Sequence, residues 1–107
     1  MVINGVTFPE ERIAEFCRRH GVTRLSLFGS ILRGRSDDQG YGFRPGSDVD
    51  ILVEFLPDQQ KSLLDLGGMS MELREMLGRD MDLRTPQDLS RYFRQEVLRE
   101  ARPLYAA

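Results

Sequence analysis

Two aspartates, Asp48 and Asp50, head an apolar strand-like run in "SDVDILVEF". In a strand, residues i and i+2 project to the same side, so these carboxylates stand together. At ~4 Å two like charges repel by roughly 4 kcal/mol at an effective dielectric of about 20. A divalent cation converts that cost into affinity, and an all-oxygen donor set favours Mg²⁺. Taken alone, the pair also reads as a solvated strand end, since Asp is depleted inside strands.

A third carboxylate lies downstream. In "MDLRT" the alternation turns Met81 and Leu83 toward the core and Asp82 away from it. If that strand pairs beside residues 48–55, Asp82 joins the same cluster. Three carboxylates at one sheet end can hold two ions about 4 Å apart, a clamp for in-line phosphoryl displacement. Mg²⁺ keeps open positions for substrate phosphates, so a phosphate ligand is implied. "FGS" supplies the complementary half. Gly29 lets backbone approach a ligand closely, and Ser30 offers a hydroxyl and an N–H at the start of a short helix. Arg33, one turn on, is within reach of the same phosphates. Each of these also occurs as an ordinary turn or exposed residue; the ordered set raises the odds. An EF-hand does not fit, because its twelve-residue loop with a closing Glu is missing.

The elements that must position these residues follow from periodicity. "TFPEERIAEFCRRHG" predicts a helix, with Thr7 and Glu10 as a capping box, Gly21 as its stop, and Ile13, Phe16, Cys17 and His20 on one face. "VTRLSLFG" predicts a strand with Leu25 and Leu27 on one side. Residues 35–47, rich in glycine, predict a flexible loop. "DVDILVEF" is the next strand, with Val49, Ile51, Val53 and Phe55 opposite Asp48, Asp50 and Leu52. A helix follows through Leu66, Met69, Leu73, Met76 and Leu77, weakened by Gly67 and Gly68. "DMDLRTP" is a short strand. "QDLSRYFRQEVLREARPLY" predicts a last helix with Leu89, Phe93, Val97 and Leu98 along one stripe. The implied class is α/β (mixed α+β), a small mixed sheet flanked by helices, in one domain over residues 1–107.

Composition narrows the function. The net charge of −2 argues against a protein held on nucleic acid by bulk charge, so no direct nucleic-acid binding is expected. Of the 15 basic residues only Lys61 is lysine, and arginine suits phosphate and carboxylate recognition, although codon bias explains such usage equally well. One cysteine, Cys17, excludes an internal disulfide and a cysteine-based metal site, and its place on the apolar helix face predicts a buried thiol. "MVINGVTF" lacks a signal peptide's basic and apolar regions, and no apolar run approaches the ~18 residues of a membrane span. A cytoplasmic protein without a membrane partner is expected.

"GSILRG" followed by "SDVDILVEF" resembles the G-S-x-x-R-G … S-D-x-D signature of the minimal nucleotidyltransferases of the DNA polymerase β superfamily. The segment from "LLDLGGMSMELREMLG" to "REARPLY" resembles that group's second half, so the likeness spans about residues 8 to 105. Within it, the chain is most similar to MntA-type antitoxins encoded beside a HEPN-domain toxin. The resemblance implies a polymerase β-like nucleotidyltransferase fold. It further implies binding of ATP with Mg²⁺ (two ions), transfer of AMP to a tyrosine hydroxyl of the toxin, and a hetero-oligomer with that toxin. Residue by residue it makes Asp48 and Asp50 the metal ligands shared by both ions, and Asp82 the third carboxylate, which holds the catalytic metal and can help deprotonate the acceptor hydroxyl. Gly29 and Ser30 become nucleotide-phosphate contacts, with Arg33 at a further signature position.

The connection from Gly34 to Ser47 departs from the family in length; Tyr41 and Arg44 within it are candidates to stack on or bind a nucleotide, or simply belong to a polar loop. Arg91, Arg94, Arg99 and Arg102 with Tyr92 and Phe93 form either a partner surface or a solvated helix face. Two other functions compete with AMP transfer. One is a binding antitoxin that neutralises its partner sterically. The other is a nucleotidyltransferase acting on a small molecule such as an aminoglycoside, disfavoured by the lack of an evident second domain to hold the acceptor.

Overall fold

The computed structural model describes residues 1–33 and 48–107; the expected loop over 35–47, with Tyr41 and Arg44, lies outside the described residues, as does the side chain of Arg33. The chain opens with a hairpin, β1 (Val2–Ile3) and β2 (Val6–Thr7), and then forms α1 (Glu10–His20) and β3 (Val22–Phe28). A 3₁₀ turn, Gly29–Arg33, follows β3. β4 (Val49–Phe55), α2 (Leu63–Leu77) and β5 (Met81–Arg84) come next, then a short turn, α3 (Arg94–Glu100) and β6 (Arg102–Ala106).

Four strands form one mixed sheet in the order β5-β4-β3-β6. β3 runs antiparallel to both β4 and β6, whereas β4 and β5 are parallel. Alternation sorts the side chains. Leu25 and Leu27 pair with Val53 and Ile51, and all four are fully buried. With Val49 and Met81 they pack against Ile13, Phe16 and Cys17 of α1 and Met69 and Leu73 of α2. At roughly 25 cal/mol per Å² of apolar surface, this face supplies most of the drive to fold. Arg19 and His20 at the end of α1 hold the two carboxylate oxygens of Glu72 on α2, at 2.6 and 2.9 Å. Burial pushes the Cys17 thiol up to about 12, which fits a structural rather than a reactive cysteine. The opposite face carries Ser26, Phe28, Asp50 and Leu52, and α3 lies over its Phe28 end.

Three expectations are corrected. Thr7 does not cap α1: it pairs with Val2 in the hairpin, and Pro9 is the N-cap with no side-chain bond. The hairpin went unread although Asn4-Gly5 marks it. Both residues have positive φ, 49° and 83°, as the twisted two-residue turn between such strands requires. The last helix is confined to Arg94–Glu100, because the Pro86 turn precedes it and "RPLYA" becomes a fourth strand. Pro103 sits on the outer strand of the sheet, where a missing N–H is tolerated. Phe93, expected on a buried stripe, is 62% exposed. The mixed sheet flanked by helices is as expected. No helix among the described residues is long and apolar enough to cross a membrane.

Candidate functional site

The end of the sheet where β3 leaves and β4 enters gathers most of the singled-out residues. Asp50 sits one step into β4, half-buried, directly opposite Phe28 at the end of β3. On its other side the parallel ladder sets Asp50 level with Asp82 of β5. Asp48, just before β4, is exposed. The expected pairing of the third strand beside residues 48–55 is therefore present.

Gly29 closes the site from the β3 side. Its φ of 79° falls where a Cβ is strained. A Cβ built there would also run into the Asp50 carboxylate, coming within 3.2 Å of its carbon. The glycine thus lets backbone and carboxylate share a space that any side chain would fill. Ser30 and Ile31 continue the 3₁₀ turn, and Ile31 is fully buried beneath it. The turn is anchored from outside: the Asn4 side-chain amide donates to the Ile31 carbonyl. Asn4 was not singled out from the sequence, and only its place in the Asn-Gly turn pointed to it.

The two neighbouring carboxylates are not equivalent. Burial raises the Asp50 carboxyl above its ordinary value, Asp82 and Asp48 add to the rise, and Arg84 opposes it. Asp82 is instead held by Arg84, whose Nη2 and Nε donate to the same oxygen, Oδ2, at 2.9 and 3.0 Å. Arg84 was also missed, although an Arg two residues beyond Asp82 on one strand must share its face. Both partners are about half exposed, so the pair contributes at most about 1 kcal/mol.

Among the described residues no group of three or more His, Cys, Asp or Glu side chains is arranged to hold a metal ion. Asp50 and Asp82, with Asp48 at the strand entrance, form an open all-oxygen set. Such a set fits Mg²⁺, which keeps waters and takes substrate phosphate oxygens instead of filling a closed protein cage. The Arg84 guanidinium on Asp82 shows that this carboxylate already draws a cation.

Comparison with known proteins identifies the family. Residues 10–105 match the Nucleotidyltransferase domain family. The chain is 37% identical over 92 residues to a Methanocaldococcus jannaschii protein provisionally named a protein adenylyltransferase, covering 86% of this chain and 89% of that one. It is 35% identical over 86 residues to the protein adenylyltransferase MntA of Thermococcus cleftensis, covering 80% and 78%. Among solved structures, one described as a minimal nucleotidyltransferase superposes with a TM-score of 0.68 at 35% identity, over 88% of this chain and 87% of that one. A toxin–antitoxin complex with AMP-PNP superposes at 0.66 with 24% identity, over 94% and 75%, a likeness of fold. The chain belongs to the nucleotidyltransferase domain family.

Proposed function

We propose that this protein is a Mg²⁺- and ATP-dependent protein adenylyltransferase that modifies a tyrosine hydroxyl of a cognate HEPN-family RNase toxin and so acts as its antitoxin. The observation that carries the reading is the level pairing of Asp50 with Asp82 directly beside Gly29. Names of protein adenylyltransferases on relatives at 35% and 37% identity support the reaction class.

In the reaction, the acceptor oxygen bonds to the α-phosphorus of ATP, the α–β phosphoanhydride bond breaks, and pyrophosphate leaves. Asp48, Asp50 and Asp82 would hold Mg²⁺, which when bound neutralises charge on the phosphate oxygens. Gly29 and Ser30 present close backbone and a hydroxyl to the phosphates, and Arg33 adds positive charge there. The edge-strand position and partial exposure of Asp82 support its accepting the acceptor's proton.

The test is intact-mass analysis of the purified toxin after incubation with this protein, ATP and Mg²⁺. Wild type adds at least one AMP; Asp48→Asn/Asp50→Asn adds none. An AMP gain that survives the double substitution would remove the carboxylates from the mechanism.

A further inference from the structure

Helix α2 is apolar on two sides. Its inner stripe, Leu66, Met69 and Leu73, packs into the core. Its outer stripe runs Leu64, Gly68 and Met71, at spacings of four and seven, with Leu63 and Gly67 beside it. A helix with one covered face carries polar residues on the other, as α1 does with Glu11, Glu15 and Arg18. Leu63, Leu64 and Met71 are instead 88%, 86% and 69% exposed. Together they present roughly 500 Å² of apolar surface, as much as the largest patch of a typical monomer. The glycines add a second sign. Each weakens the helix relative to alanine, and a Cβ at either position would meet nothing within 4 Å. The fold of one chain has no need of them; a backbone approaching from outside does.

We infer that the outer face of α2 is the contact between two copies of this chain, packed antiparallel about a two-fold axis that passes between Gly67 and Gly68. Leu64 and Met71 stand equally far on either side of that midpoint. The axis therefore sets each Leu64 against the Met71 of the other copy, with the glycines at the crossing. Leu63 reaches the same Met71 from the next position. Further out, Lys61 just ahead of α2 and Glu75 in its last turn stand at similar distances from the midpoint. The axis brings each Lys61 to the helix end that carries the other copy's Glu75. Glu75 is exposed, and the Lys61 ammonium holds a long 3.4 Å bond to Gln59 that it can give up. Antiparallel helices also align their dipoles favourably. Two copies cover roughly 1,000 Å² of apolar surface, the lower bound for a specific interface. The toxin is the poorer occupant. α2 lies on the Ile51 and Val53 side of the sheet, whereas Asp50 and Asp82 alternate to the other side. A helix and a sheet thus separate this face from the carboxylates. The pairing leaves both sites open and stands apart from the transfer reaction.

Sedimentation equilibrium of the full chain alone, without ATP or toxin, tests the contact over about 1–200 µM. Wild type should pass from monomer to dimer with a Kd of roughly 1–100 µM. Gly68→Leu should stay monomeric throughout, because its side chain blocks the crossing. Its melting temperature at low concentration should rise, since leucine suits an exposed helix position better than glycine. Lys61→Glu and Glu75→Lys should each weaken the dimer roughly fivefold, and the double exchange should restore it. A wild type that remains monomeric at the top of the range overturns the inference, as does a dimer that Gly68→Leu leaves intact. Single charge variants that dimerise like wild type, or a double exchange that restores nothing, overturn the antiparallel register. A monomeric wild type whose toxin binding is lost in Gly68→Leu also overturns the inference and gives the face to the toxin. None of these outcomes bears on AMP transfer.

Discussion

Asp50 and Asp82 are the same residue type at the same level of neighbouring strands, yet their surroundings differ. Asp50 is on a central strand, half-buried, with Gly29 cut away to admit it. Asp82 is on the edge strand, about two-fifths exposed, and gripped by Arg84. Packing sets the first and a movable side chain sets the second. In the proposed reaction this difference would keep Asp50 fixed while Asp82 faces the acceptor and exchanges partners. The sheet order provides the division, since an edge strand is where a second protein can approach.

The largest break in that comparison is Asp50→Asn. Transfer should fall roughly a hundred- to a thousandfold or more, in the range seen when one charge-stabilising group is lost. The metal-free protein should nevertheless become slightly more stable at neutral pH. Burial raises the Asp50 carboxyl in the folded state. Its contribution is therefore full below the unfolded value and is lost as pH rises through the raised folded one. Chemical denaturation of wild type and variant across that window should show the wild-type curve declining and the Asn curve flatter. Because Asp50 is only half-buried, the difference should stay at or below about 1 kcal/mol.

Gly29→Ala attacks the same carboxylate from the β3 side. Positive φ and the collision with Asp50 should together cost about 1–3 kcal/mol in stability, read as a lower denaturation midpoint. ATP affinity should fall with it. Arg84→Gln acts on the edge-strand carboxylate instead. It should change stability by less than about 1 kcal/mol. Arg84 normally lowers the Asp50 carboxyl, so removing it raises that group and moves the acid limb of the pH–rate profile to higher pH. An unmoved limb would separate the two carboxylates electrically.

The smallest effect lies further along the Asp50 face. Ser26 is 1% exposed, and its hydroxyl has no partner among the described residues. Ser26→Ala should stabilise the protein by about 1 kcal/mol, seen as a higher melting temperature with transfer unchanged.

The central half of this site was legible because alternation speaks loudly there. Val49, Ile51 and Val53 had to be buried, which left Asp50 on the other face, and Asp82 followed by the same count. The edge half was not. Arg84 is one of fourteen arginines, and its contact with Asp82, two residues back on β5, is marked by spacing rather than by residue type. "RPLY" was read as the end of a helix because Pro103 stops helices; an edge strand tolerates the same proline. Phe93 was assigned to a core stripe by spacing alone, since periodicity does not say which face of a helix is covered. Arg94 was read as part of a charged surface. Its guanidinium instead donates to the carbonyls of Pro86 and Leu89, at 2.7 and 3.1 Å, and pins the start of α3.

The central claim is that the carboxylates of β4 and β5 direct attack at the α-phosphate of ATP. Incubating the toxin with this protein, Mg²⁺ and ATP labelled at either the α- or the γ-phosphate tests it most directly. Label should remain on the toxin only from the α position, and none should appear with Asp50→Asn. Retention of γ label, or of α label in the Asp50→Asn reaction, would contradict the account.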